Sequence, residues 1–195
     1  PPPRPARRAA ALLDPGLDVR VDKPVATTLA DADHLVAVAA RTGRTCAVVN
    51  RTHAPALRRL RAWVDAGHVG LPRHLDLEFL ASGAHFATSV ERPGLVVDRE
   101  LSGGGELLNF LGYCADAAHH LTGLRTVEVH AFAGSLFLEP HREAGVEDTA
   151  VVTLELERGV TATITLGRVP VAPGGCWLLD TSPSPRDRGG AGVAS

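Results

Sequence analysis

Residues 19–25, VRVDKPV, alternate apolar and polar side chains until Pro24 removes a ladder donor, so a short strand is expected to end near Lys23. From Thr28 the period changes to Leu29, Ala32, Leu35, Val36 and Ala39, which is helical spacing; Thr28 with Asp31 supplies an N-cap and Gly43 a stop. CAVVN (46–50) reads as a buried strand. PALRRLRAWVDAG (55–67) reads as a second amphipathic helix on Leu57, Leu60 and Val64, with Pro55 in its first turn. Strand, helix, strand, helix is the order an open, mostly parallel sheet requires, because each crossover must carry the chain back across the sheet.

Beyond Gly70 the pattern shifts. HLDLEFL (74–80) alternates as a half-buried strand, and a helix is expected over 103–121. TVEVHAF (126–132), TAVVTLELE (149–157) and VTATITLGRV (160–169) follow as strands, the last two joined into a hairpin by Arg158-Gly159. The second half is therefore expected to be an antiparallel sheet backed by a helix. The last stretch, CWLLDTSPSPRDRGGAGVAS (176–195), has no apolar period after Leu179 and is expected to be disordered; it resembles a translated adaptor tail and is set aside as non-native.

Composition narrows the classes of function. With 195 residues, 45% of them apolar, the chain can bury a real core. Lysine plus arginine (20) nearly balances aspartate plus glutamate (22), giving a net charge of −2, so no broad field attracts nucleic acid or an anionic membrane. The apolar runs fall short of the roughly 20 residues that span a bilayer, and PPPRPARRAAALLDPG lacks a signal-peptide core. Cys46, Cys114 and Cys176 form no C-x-x-C pair, which fits a reducing, cytoplasmic setting.

Three features could carry chemistry. Lys23, after Asp22 and before Pro24, stands at the carboxyl end of a strand, where open α/β sheets bind ligands. It is either a surface lysine at a strand-to-loop junction or an ammonium that hydrogen-bonds a substrate hydroxyl and shares its proton. Gly103, Gly104 and Gly105 either form a turn that lets the next helix dock tightly or expose amides to an anion or carbonyl oxygen. On that helix Asn109, Tyr113, Asp116 and His120 share one face, which is a solvated face or the wall of a site.

Other chemistries find no support. His119 and His120 point apart on a helix, and the remaining histidines lack H-x-x-x-H or H-E-x-x-H spacing, so no metal is expected. No G-x-S-x-G elbow, P-loop or basic-aromatic pattern occurs. Asp76 and Glu78 read as a solvated acidic edge.

Three segments together resemble the Gfo/Idh/MocA-type oxidoreductases over residues 12–172: VDKPVATTLADADHLVAVAARTGRTCAVVNRTHAPALRRLRAWVDAGHVGLPRHL, DRELSGGGELLNFLGYCADAAHHLTG and VEDTAVVTLELERG. The resemblance implies a Rossmann domain that binds NAD or NADP, followed by an open sheet that shapes the substrate site and an oligomer interface. Lys23 matches the lysine of the family's E-K-P signature, with Asp22 where glutamate is usual. Many members carry aspartate and, four residues on, histidine in the helix after the glycines; here Asn109 and Tyr113 occupy those places. Asn109 can orient a hydroxyl but cannot accept a proton as a carboxylate does. A tyrosine replaces the histidine in the branch of glucose-fructose oxidoreductase and dihydrodiol dehydrogenase, and an ammonium beside it favours phenolate.

The resemblance implies an α/β plus α+β fold. Residues 1–50 would be the C-terminal remnant of the Rossmann domain, 51–175 an incomplete, mostly antiparallel open sheet backed by helices, and 176–195 the non-native tail. The phosphate-binding G-x-G-x-x-G turn is expected before Pro1, so the fragment by itself is expected to be inactive. Lys23 and Tyr113 are the expected catalytic pair. Asp22, Lys23, Pro24 and Asn50 would lie toward the cofactor, and Lys23, Asn109, Tyr113, Asp116 and His120 toward a sugar, polyol or related secondary alcohol. A homo-oligomer through the open sheet is expected, with no nucleic-acid or membrane partner. The alternatives are a non-catalytic binding or assembly module of the same fold and a truncated reading frame without activity.

Overall fold

The computed structural model describes residues 5–50, 54–82 and 94–169; the tail 176–195 lies outside them. The first unit contains α1 (Pro5–Leu13), β1 (Val19–Val21), α2 (Leu29–Thr42) and β2 (Cys46–Val48). β1 and β2 pair in parallel, Val19 opposite Cys46 and Val21 opposite Val48, with α2 as the crossover. The expected strand at 19–25 ends at Val21, two residues before Lys23. α2 begins and ends as its residues dictate: Thr28 Oγ1 accepts the Asp31 amide at 3.2 Å, and Gly43 takes the left-handed conformation at φ 66°.

α1 is an element the apolar pattern does not announce. Its buried face is Ala6, Ala9, Ala10 and Leu13, packed against Leu35 and Val38 of α2 and flanked by Val19, Val21 and Cys46. Small alanines carry this helix contact, and Arg7 of α1 pairs with the buried Asp31 at 2.9 Å.

The second unit is a four-stranded sheet of order β3-β6-β5-β4, formed by β3 (His74–Ser82), β4 (Thr126–Gly134), β5 (Thr149–Leu156) and β6 (Val160–Val169). β5 pairs antiparallel with both β4 and β6, while β3 joins β6 in parallel. The sheet is thus mixed and open, as expected of a mostly antiparallel sheet. The β5–β6 hairpin turns through Arg158 and Gly159, both at positive φ (66° and 70°), the backbone of a type I′ turn.

α3 (Pro55–Asp65), α4 (Gly94–Val97), α5 (Arg99–Ser102), α6 (Glu106–Thr122) and α7 (Glu139–Ala144) complete the fold. α6 covers one face of the sheet. Phe110, Cys114 and Ala118 meet Leu77, Phe79, Val152, Leu154, Ile164 and Leu166, all buried, and each large apolar side chain contributes roughly 1.5–3 kcal/mol. Leu57 of α3 packs on Ala117 and Leu121 of α6. α6 therefore has a fixed rotation, and that rotation decides which of its polar residues reach Lys23.

Candidate functional site

Lys23 follows the carboxyl end of β1 and crosses to α6, 86 residues away in sequence. Its Nζ donates to the main-chain oxygen of Asn109 at 3.0 Å and to Asn109 Oδ1. The same ammonium lies 5.8 Å from the Phe110 ring centroid and 5.5 Å from that of Tyr113, within cation–π range. Phe79 stacks on both rings, at 4.4 Å and 5.6 Å between centroids, so β3 supplies the backing for an aromatic wall. Asp22 is exposed, and its carboxylate accepts the Lys23 backbone amide at 2.8 Å.

Lys23 is also the sole lysine of the sequence, in a chain whose other basic side chains outside histidine are all arginine. Where charge alone is needed this chain uses arginine. A lysine can give up its proton and arginine in practice cannot.

Asn109 is held from both sides. Its Nδ2 donates to Glu106 Oε2 at 2.7 Å, which fixes Oδ1 toward Lys23. Glu106 is fully buried, and its other oxygen receives Arg168 Nε at 2.6 Å and meets His141 Nε2 at 3.2 Å. Burial pushes the Glu106 carboxyl up, but the His141 hydrogen bond, the Arg168 charge and the Asn109 amide outweigh it and hold the group below its ordinary value. Glu106 is thus an ionised carboxylate one turn behind Asn109, and His141 Nε2 donates to it.

The glycine run serves packing. The amides of Gly105 and Leu107 donate to Glu147 Oε1 at 2.9 and 3.1 Å, and that of Glu106 donates to the Glu147 carbonyl at 2.9 Å. The Gly104 amide reaches Ser102 Oγ at 3.4 Å. Of the two readings of the run, tight docking therefore holds, and the amides that could have received an anion or carbonyl oxygen are already taken, because Glu147 fills the helix start. Gly103 lies at φ 82° against Thr27 and Leu108, a position that excludes a side chain.

Above the Lys23–Asn109 contact a cleft of about 200 Å³ is lined by Lys23, Pro24, Val96, Leu101, Ser102, Gly105 and Asn109. The other expected residues fall elsewhere along α6. Asn50, exposed after β2, donates through Nδ2 to Asp116 Oδ2, forming a second polar contact two turns from Asn109. The His120 carbonyl accepts from Arg61 at 2.7 Å, and its buried Nε2 has no hydrogen-bond partner among the described residues. The structure brings Lys23, Pro24, Asn109 and the Tyr113 ring together, pairs Asn50 with Asp116, and leaves His120 against α3.

Burial pushes the Cys114 thiol up to about 12, so it is inert near neutral pH. Among the described residues no group of three or more His, Cys, Asp or Glu side chains could hold a metal ion, and no helix is long and apolar enough to cross a membrane.

Glu106, Glu147, His141 and Arg168 were not among the expected site residues. The signal for Glu106 lies in its spacing: it falls on the buried stripe of α6 with Phe110, Cys114, Ala117 and Leu121, where a carboxylate needs a partner.

A family model described as GFO/IDH/MocA C-terminal domain matches residues 57–178. The uncharacterized oxidoreductase YrbE of Bacillus subtilis is 28% identical over 151 residues, covering 77% of this chain and 41% of that protein. Among solved structures, myo-inositol 2-dehydrogenase from Lactobacillus plantarum superposes with a TM-score of 0.77 at 19% identity, over 90% of this chain and 50% of that one. Aldose-aldose oxidoreductase from Caulobacter crescentus, complexed with glycerol, gives 0.73 at 24% identity, over 85% and 48%. The chain thus spans about two fifths of the curated relative's length and about half that of the solved structures.

Proposed function

Because the chain belongs to the Gfo/Idh/MocA family, we propose that it is the substrate-side portion of a nicotinamide-dependent oxidoreductase acting on a sugar, polyol or related secondary alcohol. The observation that carries this reading is the sole lysine, set at the carboxyl end of a parallel strand, hydrogen-bonded to Asn109 and lining an open cleft. The names of the relatives, an oxidoreductase, an inositol dehydrogenase and an aldose-aldose oxidoreductase, support the substrate class.

The carboxyl ends of β1 and β2, where Asp22, Lys23, Pro24 and Asn50 stand, fit the nicotinamide end of NAD or NADP, since open α/β sheets take their ligands there. When bound, the nicotinamide would accept or return a hydride. Lys23 presents its ammonium to the substrate oxygen, stabilises negative charge developing there and shares its proton in the transfer that Tyr113 completes. Tyr113, its ring beside that ammonium, takes or returns the proton at the same oxygen. Asn109 contributes chiefly by holding Lys23, because both ends of its amide are engaged within the protein. Asp116 with Asn50 binds hydroxyls more distant from the reacting carbon, and His120, against α3, stands outside the cleft. Val96 and Leu101 give the cleft an apolar side next to Lys23.

The open face of the sheet is the proposed site of homo-oligomerisation. On that face Phe132 of β4 and its cross-strand neighbour Val151 of β5 are exposed at 63% and 39%, apolar surface next to a sheet edge.

The test of the function is an assay of the complete protein for NAD- and NADP-linked oxidation of a polyol and sugar panel. Turnover is expected with at least one polyol and a loss of at least 100-fold in the Lys23→Ala, Tyr113→Phe double variant. Wild-type turnover by that variant would remove both residues from the chemistry.

A further inference from the structure

Glu106 is fully buried, so it touches neither cleft nor solvent, yet it is bonded to the residue that holds Lys23. A primary amide can present either of its ends to a neighbour, and only one end of Asn109 suits an ammonium. The ionised Glu106 accepts hydrogen bonds and cannot donate, so it selects the orientation in which Nδ2 points inward and Oδ1 outward. Arg168 of β6 and His141 of α7 pin the carboxylate in turn, and the Arg168 guanidinium also lies 5.6 Å from the Phe110 centroid, behind the wall that faces Lys23. Three elements, α6, α7 and β6, thus converge on the orientation of one amide.

We propose that Glu106 is a positioning residue: anchored by Arg168 and His141, it orients the Asn109 side-chain amide from behind and so fixes the Lys23 ammonium over the Phe110 and Tyr113 rings. The charge that a carboxylate at position 109 would bring into the cleft is kept one helical turn back, in the core, and acts through a neutral amide. Its importance for turnover rests on the proposed function; the positioning itself does not.

The sole lysine makes this measurable without turnover. The 195-residue chain grown with [13Cε]lysine gives one lysine methylene correlation, and in the wild type it should be displaced from the free-lysine position by the ring currents of Phe110 and Tyr113, with its two Hε protons distinct. Glu106→Gln, which can donate to Asn109 and let the amide turn over, should collapse the signal toward free lysine. Asn109→Ala, which leaves the Glu106–Arg168–His141 cluster intact, should do the same and serves if Glu106→Gln does not fold. The double variant Glu106→Gln, Asn109→Asp returns a carboxylate directly to Lys23 and should restore the displaced signal, which a purely structural role for Glu106 would not produce. An unchanged signal in Glu106→Gln or in Asn109→Ala, or no recovery in the double variant, overturns the proposal. In the complete enzyme Glu106→Gln should lower kcat by roughly ten-fold or more with a smaller effect on KM, and the double variant should recover it. Collapse and recovery of the lysine signal without any polyol turnover would leave the positioning intact and remove the proposed function instead.

Discussion

Gly105 lies against Glu147 so closely that a Cβ at position 105 would stand 2.0 Å from the Glu147 carbonyl oxygen. The contact seats the first turn of α6, because the neighbouring amides of residues 105–107 are the ones Glu147 satisfies. Gly105→Ala must therefore displace backbone and break several of these hydrogen bonds, at a cost of about 3 kcal/mol or more. Gly112, on the exposed face of the same helix, has nothing within 4 Å of its would-be Cβ. Gly112→Ala should stabilise by about 0.5–1 kcal/mol through helix propensity. Urea denaturation of the two variants, compared at equal m-value, checks the opposite signs.

Arg158 sits at φ 66° in the Glu157–Gly159 turn between β5 and β6 without the steric freedom that Gly159 has beside it. Asparagine is the residue type best suited to the first position of a type I′ turn. Arg158→Asn should raise stability by about 0.5–1 kcal/mol and leave the sheet register unchanged, as read from the urea midpoint and from the amide shifts of Glu155 and Thr161.

Acid should weaken the protein through identified carboxylates. Glu106 is held below its ordinary value of 4.5 for the reasons given above. Asp148 is held below 3.8: burial pushes it up, but the amides of Leu138, Leu136 and Phe137 and the Thr149 hydroxyl outweigh that effect. A carboxyl lowered in the folded state contributes stability that is complete above its unfolded value and is lost as the pH falls through its folded value. The urea midpoint should hold between pH 7 and 5 and decline steadily below about pH 4.5, less steeply in Glu106→Gln. Arg168→Met, which leaves the buried carboxylate short of its main cation, should cost about 3 kcal/mol or more at pH 7.

Local rules made much of the architecture readable. The Thr28 cap, the Gly43 stop, the alternation in β5 and β6 and the Arg158-Gly159 turn are each decided within a few residues, and each appears where its chemistry puts it. α1 was not readable in this way, because three of its four buried residues are alanine, whose weak hydrophobicity gives little period until Leu35 and Val38 are known to face it. Asn109 and Tyr113 stood out as a polar stripe, and their partner Lys23 as a strand-end lysine. Glu106 did not, since a glutamate in the first turn of a helix normally complements the helix dipole in solvent. Its burial follows from how α6 is rolled onto the sheet, with Arg168 and His141 brought up from 62 and 35 residues away. Of the two readings of the glycine run the structure takes tight docking, though nothing near it in sequence indicates that Glu147, more than 40 residues on, occupies its amides.

In the proposed reaction Lys23 shares a proton with the substrate oxygen, and the most direct test is kcat/KM of the complete protein for NAD(P)-linked polyol oxidation with Lys23→Arg beside the wild type. Arginine keeps the positive charge and the hydrogen bond to Asn109 within reach but does not release its proton. A fall of roughly 100-fold or more, with the variant as stable to urea as the wild type, is the result predicted. Turnover by Lys23→Arg within a few-fold of wild type would contradict the central claim and reduce Lys23 to a structural cation.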